Sequence, residues 1–86
     1  MTSSATSPAL TRPRAITAAV HGRRLHVTVE DGREISVPVT WFEFLKLATE
    51  AQRADLHVIG GGAGIWWDQL EDGISVPQLF GLPPDL

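Results

Sequence analysis

The sequence predicts an α+β fold: one small domain with the order βββ-α-α-ββ-α, in which a mainly antiparallel sheet packs against one main helix. Three observations lead to this prediction. Apolar residues alternate along the first half of the chain, helix-capping patterns follow, and a glycine-rich turn then separates two short apolar runs. With 86 residues the chain has room for one domain. We predict that it spans residues 15–82, between tails at residues 1–14 and 83–86.

The composition limits the classes of function that suit this chain. It has no cysteine, which excludes disulfides, thiolate metal sites and a cysteine nucleophile, and which fits the reducing cytoplasm. The Ser/Thr/Pro-rich start predicts a disordered tail, and no apolar run approaches the ~20 residues of a membrane helix. A net charge of −3 gives no general basic field of the kind that nucleic-acid readers use. We therefore expect a cytoplasmic protein that binds no membrane, and nucleic acid is not the favoured partner.

Alternating apolar residues predict three strands before residue 40. A two-residue type II′ loop at Gly22-Arg23 keeps the apolar sets of the first two strands on one face. A three-residue loop over residues 30–32, with Gly32 as a G1 bulge after a type I turn, does the same for the next pair. The residues expected to face the core are Ile16, Ala18, Val20, Leu25, Val27, Val29, Ile35, Val37 and Val39.

A capping-box pattern, Thr40 with Glu43, predicts the start of the main helix. Helical spacing puts four apolar residues on the face that should dock on the sheet: Trp41, Phe44, Leu45 and Ala48.

Two further capping patterns predict two shorter helices. Thr49 and Gln52 repeat the capping box after a break in the main helix. Ser75 and Gln78 do so near the end of the chain, where Gly81 should stop the last helix.

The stretch "IGGGAGIWWDQLEDGISV", residues 59–76, raises the main functional question. Consecutive glycines resemble a phosphate-binding loop, but such loops lead directly into a helix. Here the glycines lead into a predicted strand, Ile65–Trp67, which should pair with a strand over Leu56–Ile59. The chain also has only one lysine, Lys46, and no "GK[ST]". The pattern therefore favours a hairpin with a flexible glycine tip, and we expect no cofactor.

No residues in the sequence have the spacing of a catalytic or metal centre. Without an HExxH or comparable pair, His26 and His57 are expected to be solvated residues on an outer sheet face. Asp68, Glu71 and Asp72 are best explained as a solvated acidic loop, because acid–base catalysis needs an enclosing pocket. We therefore predict no catalytic residues, no metal site and no enzymatic activity.

The two adjacent tryptophans should point to opposite faces of their strand. We predict that Trp67 is buried and that Trp66 points outward. An outward tryptophan beside acidic residues is typical of an interface, whereas a tail or helix that shelters it is an equally weighted alternative. The predicted partner-binding surface comprises Trp66, Asp68, Glu71 and Asp72, and we expect Trp66→Ala to spare folding and weaken partner binding.

Several segments occur in a characteristic order over residues 29–81: "DGREISVP", a tryptophan that opens a helix, "ATEAQR", "IGGG-GI-W" and "L-ED-ISV-LF-G". Together they resemble the small bacterial domain-of-unknown-function family DUF2442. The chain departs from the family in two places. It has Ile65-Trp66-Trp67-Asp68 where the family usually reads "IHWP", and Glu71-Asp72-Gly73-Ile74-Ser75 where the family usually reads "DEDIS".

The resemblance implies a small α+β module that binds a partner. Some members look fused to a helix-turn-helix segment, and others are encoded beside a second small protein, in an arrangement similar to toxin–antitoxin pairs. The family provides no catalytic residues to carry over. Because no helix-turn-helix follows Gly81, direct operator binding is not expected.

The favoured hypothesis is a non-enzymatic protein-interaction module: an antitoxin-like partner of a small bacterial protein encoded nearby, with homo-oligomers as a further form of assembly. The first alternative is a nucleic-acid-binding or transcription-associated accessory domain. It would use Arg12, Arg14, Arg23 and Arg24, and its affinity would fall steeply with salt. The second alternative is an acidic inhibitor whose C-terminal third occupies another protein's nucleic-acid site.

Overall fold

Two three-stranded antiparallel sheets form the fold in the computed structural model, which describes residues 12–82. The first sheet contains β1 (Ala15–His21), β2 (Arg24–Val29) and β3 (Glu34–Pro38). The second contains β4 (Leu56–Ile59), β5 (Gly64–Trp67) and β6 (Asp72–Ser75). Along the chain, the segment that connects the two sheets contains a 3₁₀ turn (Val39–Trp41) and the helices α1 (Glu43–Lys46) and α2 (Glu50–Ala54). A second 3₁₀ turn (Gly60–Gly62) joins β4 to β5, and α3 (Val76–Leu79) follows β6.

The α+β class is confirmed, but the architecture differs from the prediction. The strands divide into two sheets, and α2, with five residues, is the longest helix in the described part of the chain, so the predicted main helix is wrong. None of the described helices is long and apolar enough to cross a membrane. The predicted tail at residues 83–86 and residues 1–11 of the predicted tail 1–14 lie outside the described residues.

The register of the first sheet is the predicted one at both turns. Val20 lies opposite Leu25, and Gly22 has φ +61° while Arg23 has no positive φ, as a type II′ turn requires. At the second turn the amide of Gly32 donates to the carbonyl of Val29 at 3.0 Å, and Gly32 has φ +93°, which confirms the type I turn with a G1 bulge.

The side chains of the second turn also stabilise it. Asp31 Oδ1 accepts a hydrogen bond from the amide of Arg33 at 3.0 Å, and Asp31 Oδ2 lies 2.7 Å from Arg33 Nε. The backbone hydrogen bond and the guanidinium hold the pKa of Asp31 below its usual value. The same guanidinium lies 5.1 Å from the ring centroid of Phe80, so this turn also contacts the C-terminal segment.

The start of β1 corrects the predicted core. Ala15 lies opposite Val29 and Thr17 opposite Thr28, so the strand has a bulge at Ile16. The extra residue moves Ile16 off the core face, and the side chain is 56% exposed, whereas Ala15 is buried. The prediction that Ile16 faces the core is therefore wrong, because the bulge changes the alternation before Ala18.

The segment after β3 also differs from the prediction. Phe42 has an extended conformation (φ −124°, ψ 116°), which separates the 3₁₀ turn from α1. Neither helix has a side-chain cap, so the predicted capping box of Thr40 and Glu43 does not form. The break also ends the helical periodicity, and Trp41 is 63% exposed instead of docking on the sheet.

The capping predictions for the other two helices have different outcomes. Thr49 Oγ1 accepts from the amide of Gln52 at 3.1 Å and Gln52 Oε1 accepts from the amide of Thr49 at 2.9 Å, which confirms this capping box. Ser75 is the N-cap of α3 but makes no capping hydrogen bond. As predicted, Gly81 ends α3: it has φ +80° and begins a Schellman motif, in which the amide of Leu82 donates back to α3.

Trp67 is fully buried, as predicted. Its Nε1 donates to the carbonyl of Arg53 at 2.9 Å, and its ring meets that of Phe44 edge to face, with centroids 5.4 Å apart. Arg53 is itself buried, and its guanidinium donates to the carbonyls of Leu45 (2.8 Å) and Lys46 (3.1 Å) at the end of α1. One buried cluster therefore fixes α1, α2 and β5 relative to each other.

The glycine loop between β4 and β5 packs against the first sheet. Gly60, Gly61 and Gly62 all have positive φ, which explains the need for glycine in this turn. A Cβ on Gly62 would lie 2.8 Å from the carbonyl oxygen of Ala15, so its backbone directly contacts the start of β1. The loop is thus a hairpin connection, as predicted, but Gly62 is a buried contact between the two sheets.

β6 was not predicted. Asp72 does not belong to a loop with Asp68 and Glu71: it begins a strand that pairs with β5, with Trp67 opposite Asp72 and Ile65 opposite Ile74. The turn from Asp68 to Glu71 is exposed at both of these acids, as expected for a solvated loop. In the second sheet β5 is the central strand and β6 is an edge strand.

Candidate interaction surface

The clearest candidate site follows the free edge of β6. β6 pairs with β5 on one side, and no other strand within residues 12–82 pairs with it on the other. An unpaired strand edge is a template for another chain. Two open hollows adjoin along this strand and share a wall formed by Gly73, Ile74, Ser75 and Gln78. We call β6 and these two hollows the β6 groove.

The first hollow, the Trp41 hollow, has a volume of about 370 Å³ and an aromatic lining. Trp41, Phe42 and Phe44 line it, together with Leu79 of α3. Trp41 is largely exposed, and both phenylalanines are half-buried. Aromatic surface that remains in contact with water around a concave site is typical of a binding surface.

The second hollow, the Trp66 hollow, has a volume of about 350 Å³ and is lined by Trp66, Ile59, Ile65 and Asp72 besides the shared wall. Trp66 is half-buried and lies opposite Gly73 of β6. A Cβ on Gly73 would lie 2.7 Å from Trp66 Cε3, so the indole covers the glycine backbone and occupies the place of a side chain there.

The two hollows are lined by residues from both faces of the second sheet. Trp66 and Trp67 are consecutive strand residues, so their side chains point to opposite faces. Trp66 lines one hollow together with Ile65 and Asp72, which belong to the face of Trp67. On that second face the ring of Trp67 contacts Phe44, which lines the other hollow. A chain alongside β6 would therefore meet aromatic groups on both faces, Trp66 on one and Phe44 on the other.

The charged residues that line the β6 groove are acidic. Glu43 lines the Trp41 hollow and Asp72 the Trp66 hollow, and neither Lys nor Arg occurs among the described residues that line them. Both carboxylates belong to exposed residues. Asp72 Oδ1 accepts a hydrogen bond from the amide of Gly73 at 2.8 Å, so it covers one backbone donor of β6.

All four residues predicted to bind a partner lie on the hairpin of β5 and β6. Trp66 and Asp72 line the Trp66 hollow. Asp68 and Glu71 lie in the adjoining turn, where Glu71 has a left-handed conformation (φ +51°). The structure therefore brings the predicted set together at one end of the β6 groove, and its role in partner binding remains a prediction.

The four arginines of the nucleic-acid alternative do not form one patch. Arg12 and Arg14 precede β1, whereas Arg23 and Arg24 follow it, and seven strand residues span ~20 Å. Arg14 Nη1 donates to a carbonyl of the glycine loop at 3.4 Å. Arg24 donates to Ser36 Oγ at 2.7 Å and to the carbonyl of Ser36 at 2.9 Å. The structure therefore places the two arginine pairs at opposite ends of β1, and their role in nucleic-acid binding remains a prediction.

The histidines lie outside the apolar lining of the groove. His26 is half-buried in β2, with its ring 5.4 Å from that of His21. His57 is exposed in β4, and its Nε2 lies 3.4 Å from Asp68 Oδ2. Across residues 12–82, no group of three or more His, Asp or Glu side chains is placed to hold a metal ion.

Trp41 and Ile74 are two of the groove residues that the sequence patterns did not indicate as part of a site. Trp41 fits the core face of a continuous helix, but the extended conformation of Phe42 interrupts that helix and Trp41 is exposed. Ile74 follows "EDG", which is typical of a turn. The apolar alternation of Ile74 and Val76 is the one sequence signal for β6, and it is too short to outweigh that turn pattern.

The family model described as "Protein of unknown function (DUF2442)" matches residues 16–82. Among solved structures, the crystal structure of a protein of unknown function from Rhodospirillum rubrum ATCC 11170 is similar to this one, with a TM-score of 0.75 and 29% sequence identity. The similarity covers 81% of this chain and 88% of that chain. No curated protein matches the sequence. Since the family model covers most of the chain, the resemblance is confirmed, and the chain belongs to the DUF2442 family.

Proposed function

We propose that this chain is a protein-interaction module without enzymatic activity and that it binds its partner through the β6 groove. One observation carries the proposal: the indole of Trp41 is 63% exposed beside an edge of β6 with which no strand in residues 12–82 pairs. Tryptophan is enriched among the few residues that dominate binding energy at protein interfaces. A partner that covered Trp41 would remove the apolar surface of this hollow from water, which is the main favourable contribution to association.

In its finer form, the proposal is that the partner is a small bacterial protein encoded nearby and that the chain acts on it in an antitoxin-like manner. The resemblance to a family in which some members are encoded beside a second small protein supports this form. The groove suits such a role because a partner can be held there by apolar contact and backbone pairing without any chemical step.

The proposal is tested by producing the tagged chain together with the product of the neighbouring gene. We expect the two proteins to co-purify, and we expect Trp41→Ala to weaken the complex by about 30-fold, or roughly 2 kcal/mol. Leu47→Ala is the matched control, because Leu47 is 75% exposed and does not line either hollow. Circular dichroism of each variant would establish that the fold is retained.

Three results would decide between the forms of the proposal. If the neighbouring product does not co-purify, the partner is wrong. If Leu47→Ala weakens the complex as much as Trp41→Ala, the β6 groove is not the binding surface. If the two proteins bind but the neighbour alone does not arrest growth, the antitoxin-like role is wrong while the interaction remains.

A further inference from the structure

We propose that the occupant of the β6 groove is an extended, basic segment of the partner, which joins the second sheet as an additional strand along β6. This inference rests on the proposed function and adds the conformation and the charge of the segment that is bound.

The free edge of β6 determines the conformation. Strand addition provides affinity through main-chain hydrogen bonds and specificity through pockets for the side chains. β6 has four residues and therefore offers ~13 Å of edge, which matches a paired segment of about four residues.

The two hollows determine which residues of the segment are apolar. Successive side chains of a strand point to opposite faces. Because Trp66 lies on one face of the sheet and Phe44 contacts Trp67 on the other, adjacent residues at the centre of the segment would each place a side chain against one of these aromatic groups. The expected pattern is therefore a short continuous apolar run, not the alternation of a strand with one solvated face.

The carboxylates around the β6 groove determine the charge that we expect of the bound segment. Glu43 and Asp72 line the two hollows, and Asp68 and Glu71 extend the acidic surface into the adjoining turn. Basic residues on both sides of the apolar run would meet opposite charges, whereas an acidic segment would be repelled. A second copy of this chain would bring the same acids against each other, which disfavours a dimer through β6. Asp72 covers the amide of Gly73 at 2.8 Å and, being exposed, can turn from that amide to a basic side chain when a strand arrives.

A designed peptide tests the inference directly. The probe is a fluorescein-labelled heptapeptide with three central valines flanked on each side by two lysines, and fluorescence anisotropy measures its affinity. We expect it to bind the intact chain at least tenfold more tightly than two control peptides. One control has proline in place of the central valine, which blocks strand pairing, and the other has glutamate in place of each lysine.

Variants of the protein distinguish peptide binding at the β6 groove from nonspecific electrostatic attraction of the basic peptide to the acidic protein. We expect Trp41→Ala and Asp72→Asn each to weaken peptide binding at least fivefold. Leu47→Ala and Glu34→Gln are the matched controls and should change it less than twofold, because Leu47 and Glu34 are exposed and line neither hollow. Slower hydrogen exchange at the amides of β6 in the bound state would show that the peptide pairs with this strand.

Several outcomes would overturn the inference: no binding of the lysine–valine peptide, equal binding of the proline control, or equal effects of Asp72→Asn and Glu34→Gln. A dimer in sedimentation experiments that Trp41→Ala dissociates would identify a second copy as the occupant instead.

If the neighbouring product co-purifies but the peptide does not bind, this inference fails and the proposed function stands. If the peptide binds and the neighbouring product does not, the β6 groove still binds an extended basic segment, but the proposed partner is wrong.

Discussion

The three tryptophans show how one residue type takes different roles in neighbouring positions. Trp67 is fully buried, Trp66 is half-buried over Gly73, and Trp41 is 63% exposed. The strand register separates Trp66 from Trp67, and the backbone break at Phe42 exposes Trp41. Trp67 also satisfies a buried backbone acceptor through its Nε1, whereas Trp41 lines a hollow that is open to water.

This difference predicts opposite effects of the same substitution. Trp67→Phe removes the donor to the carbonyl of Arg53 and leaves space in the core, so it should lower the free energy of unfolding by about 2–4 kcal/mol. Trp41→Phe, the matched control, should change it by less than about 0.5 kcal/mol because the site is mainly solvent-exposed. Urea denaturation followed by circular dichroism measures both values. Equal destabilisation would contradict the assignment of Trp67 as the core residue.

At the scale of elements, the sequence predicted features that depend on a few adjacent residues. The turn at Gly22, the bulge at Gly32 and the capping box of Thr49 with Gln52 each form within about five residues, and all three are confirmed. Two irregularities of the backbone were not predictable in this way. The bulge in β1 exposes Ile16 and the extended residue Phe42 interrupts the predicted helix, although the apolar patterns of the sequence continue through both positions.

The candidate site likewise has one part that the sequence predicted and one part that it did not. The hairpin that carries Trp66 and Asp72 follows a glycine-rich turn pattern, so its position was predictable from the sequence. Trp41 comes to the same groove from another part of the chain through tertiary packing. The pairing of Trp66 with Gly73 likewise depends on the register of β6, which has a weak sequence signal.

The two N-cap positions before α2 and α3 give a prediction at the scale of elements. Thr49→Ala removes a formed capping box and should destabilise the protein by about 1 kcal/mol. Ser75→Ala should be neutral or stabilising by up to about 1 kcal/mol, because Ser75 makes no capping bond and its buried Oγ has no hydrogen-bond partner among the described residues. Thermal unfolding of both variants measures the difference. A larger loss for Ser75→Ala than for Thr49→Ala would show that the hydroxyl of Ser75 has a structural role.

At the scale of the molecule, the two sheets share one hydrophobic core. Leu25 and Val27 of the first sheet and Ile65 and Trp67 of the second belong to the same buried cluster. The backbone contact between Gly62 and Ala15 holds the glycine loop against the start of β1. The sheets are therefore expected to unfold together in one cooperative transition, as small single domains usually do.

Gly62→Ala tests this contact, with Gly32→Ala as its matched control. Both glycines have similar left-handed conformations (φ +101° and +93°), so alanine should cost about 1–2 kcal/mol of backbone strain at either position. Only at Gly62 would the new Cβ also lie 2.8 Å from the carbonyl oxygen of Ala15, whereas at Gly32 it would meet no atom within 4 Å. Gly62→Ala should therefore lower the free energy of unfolding by at least about 2 kcal/mol more than Gly32→Ala, since two packed backbones cannot both move aside without loss of core contacts.

Urea denaturation monitored separately by circular dichroism and by tryptophan fluorescence measures both the size of the effect and its cooperativity. Equal losses in the two variants would show that the contact between the sheets contributes little. Non-coincident transitions in Gly62→Ala, but not in Gly32→Ala, would show that this contact is what couples the second sheet, with its tryptophans, to the first.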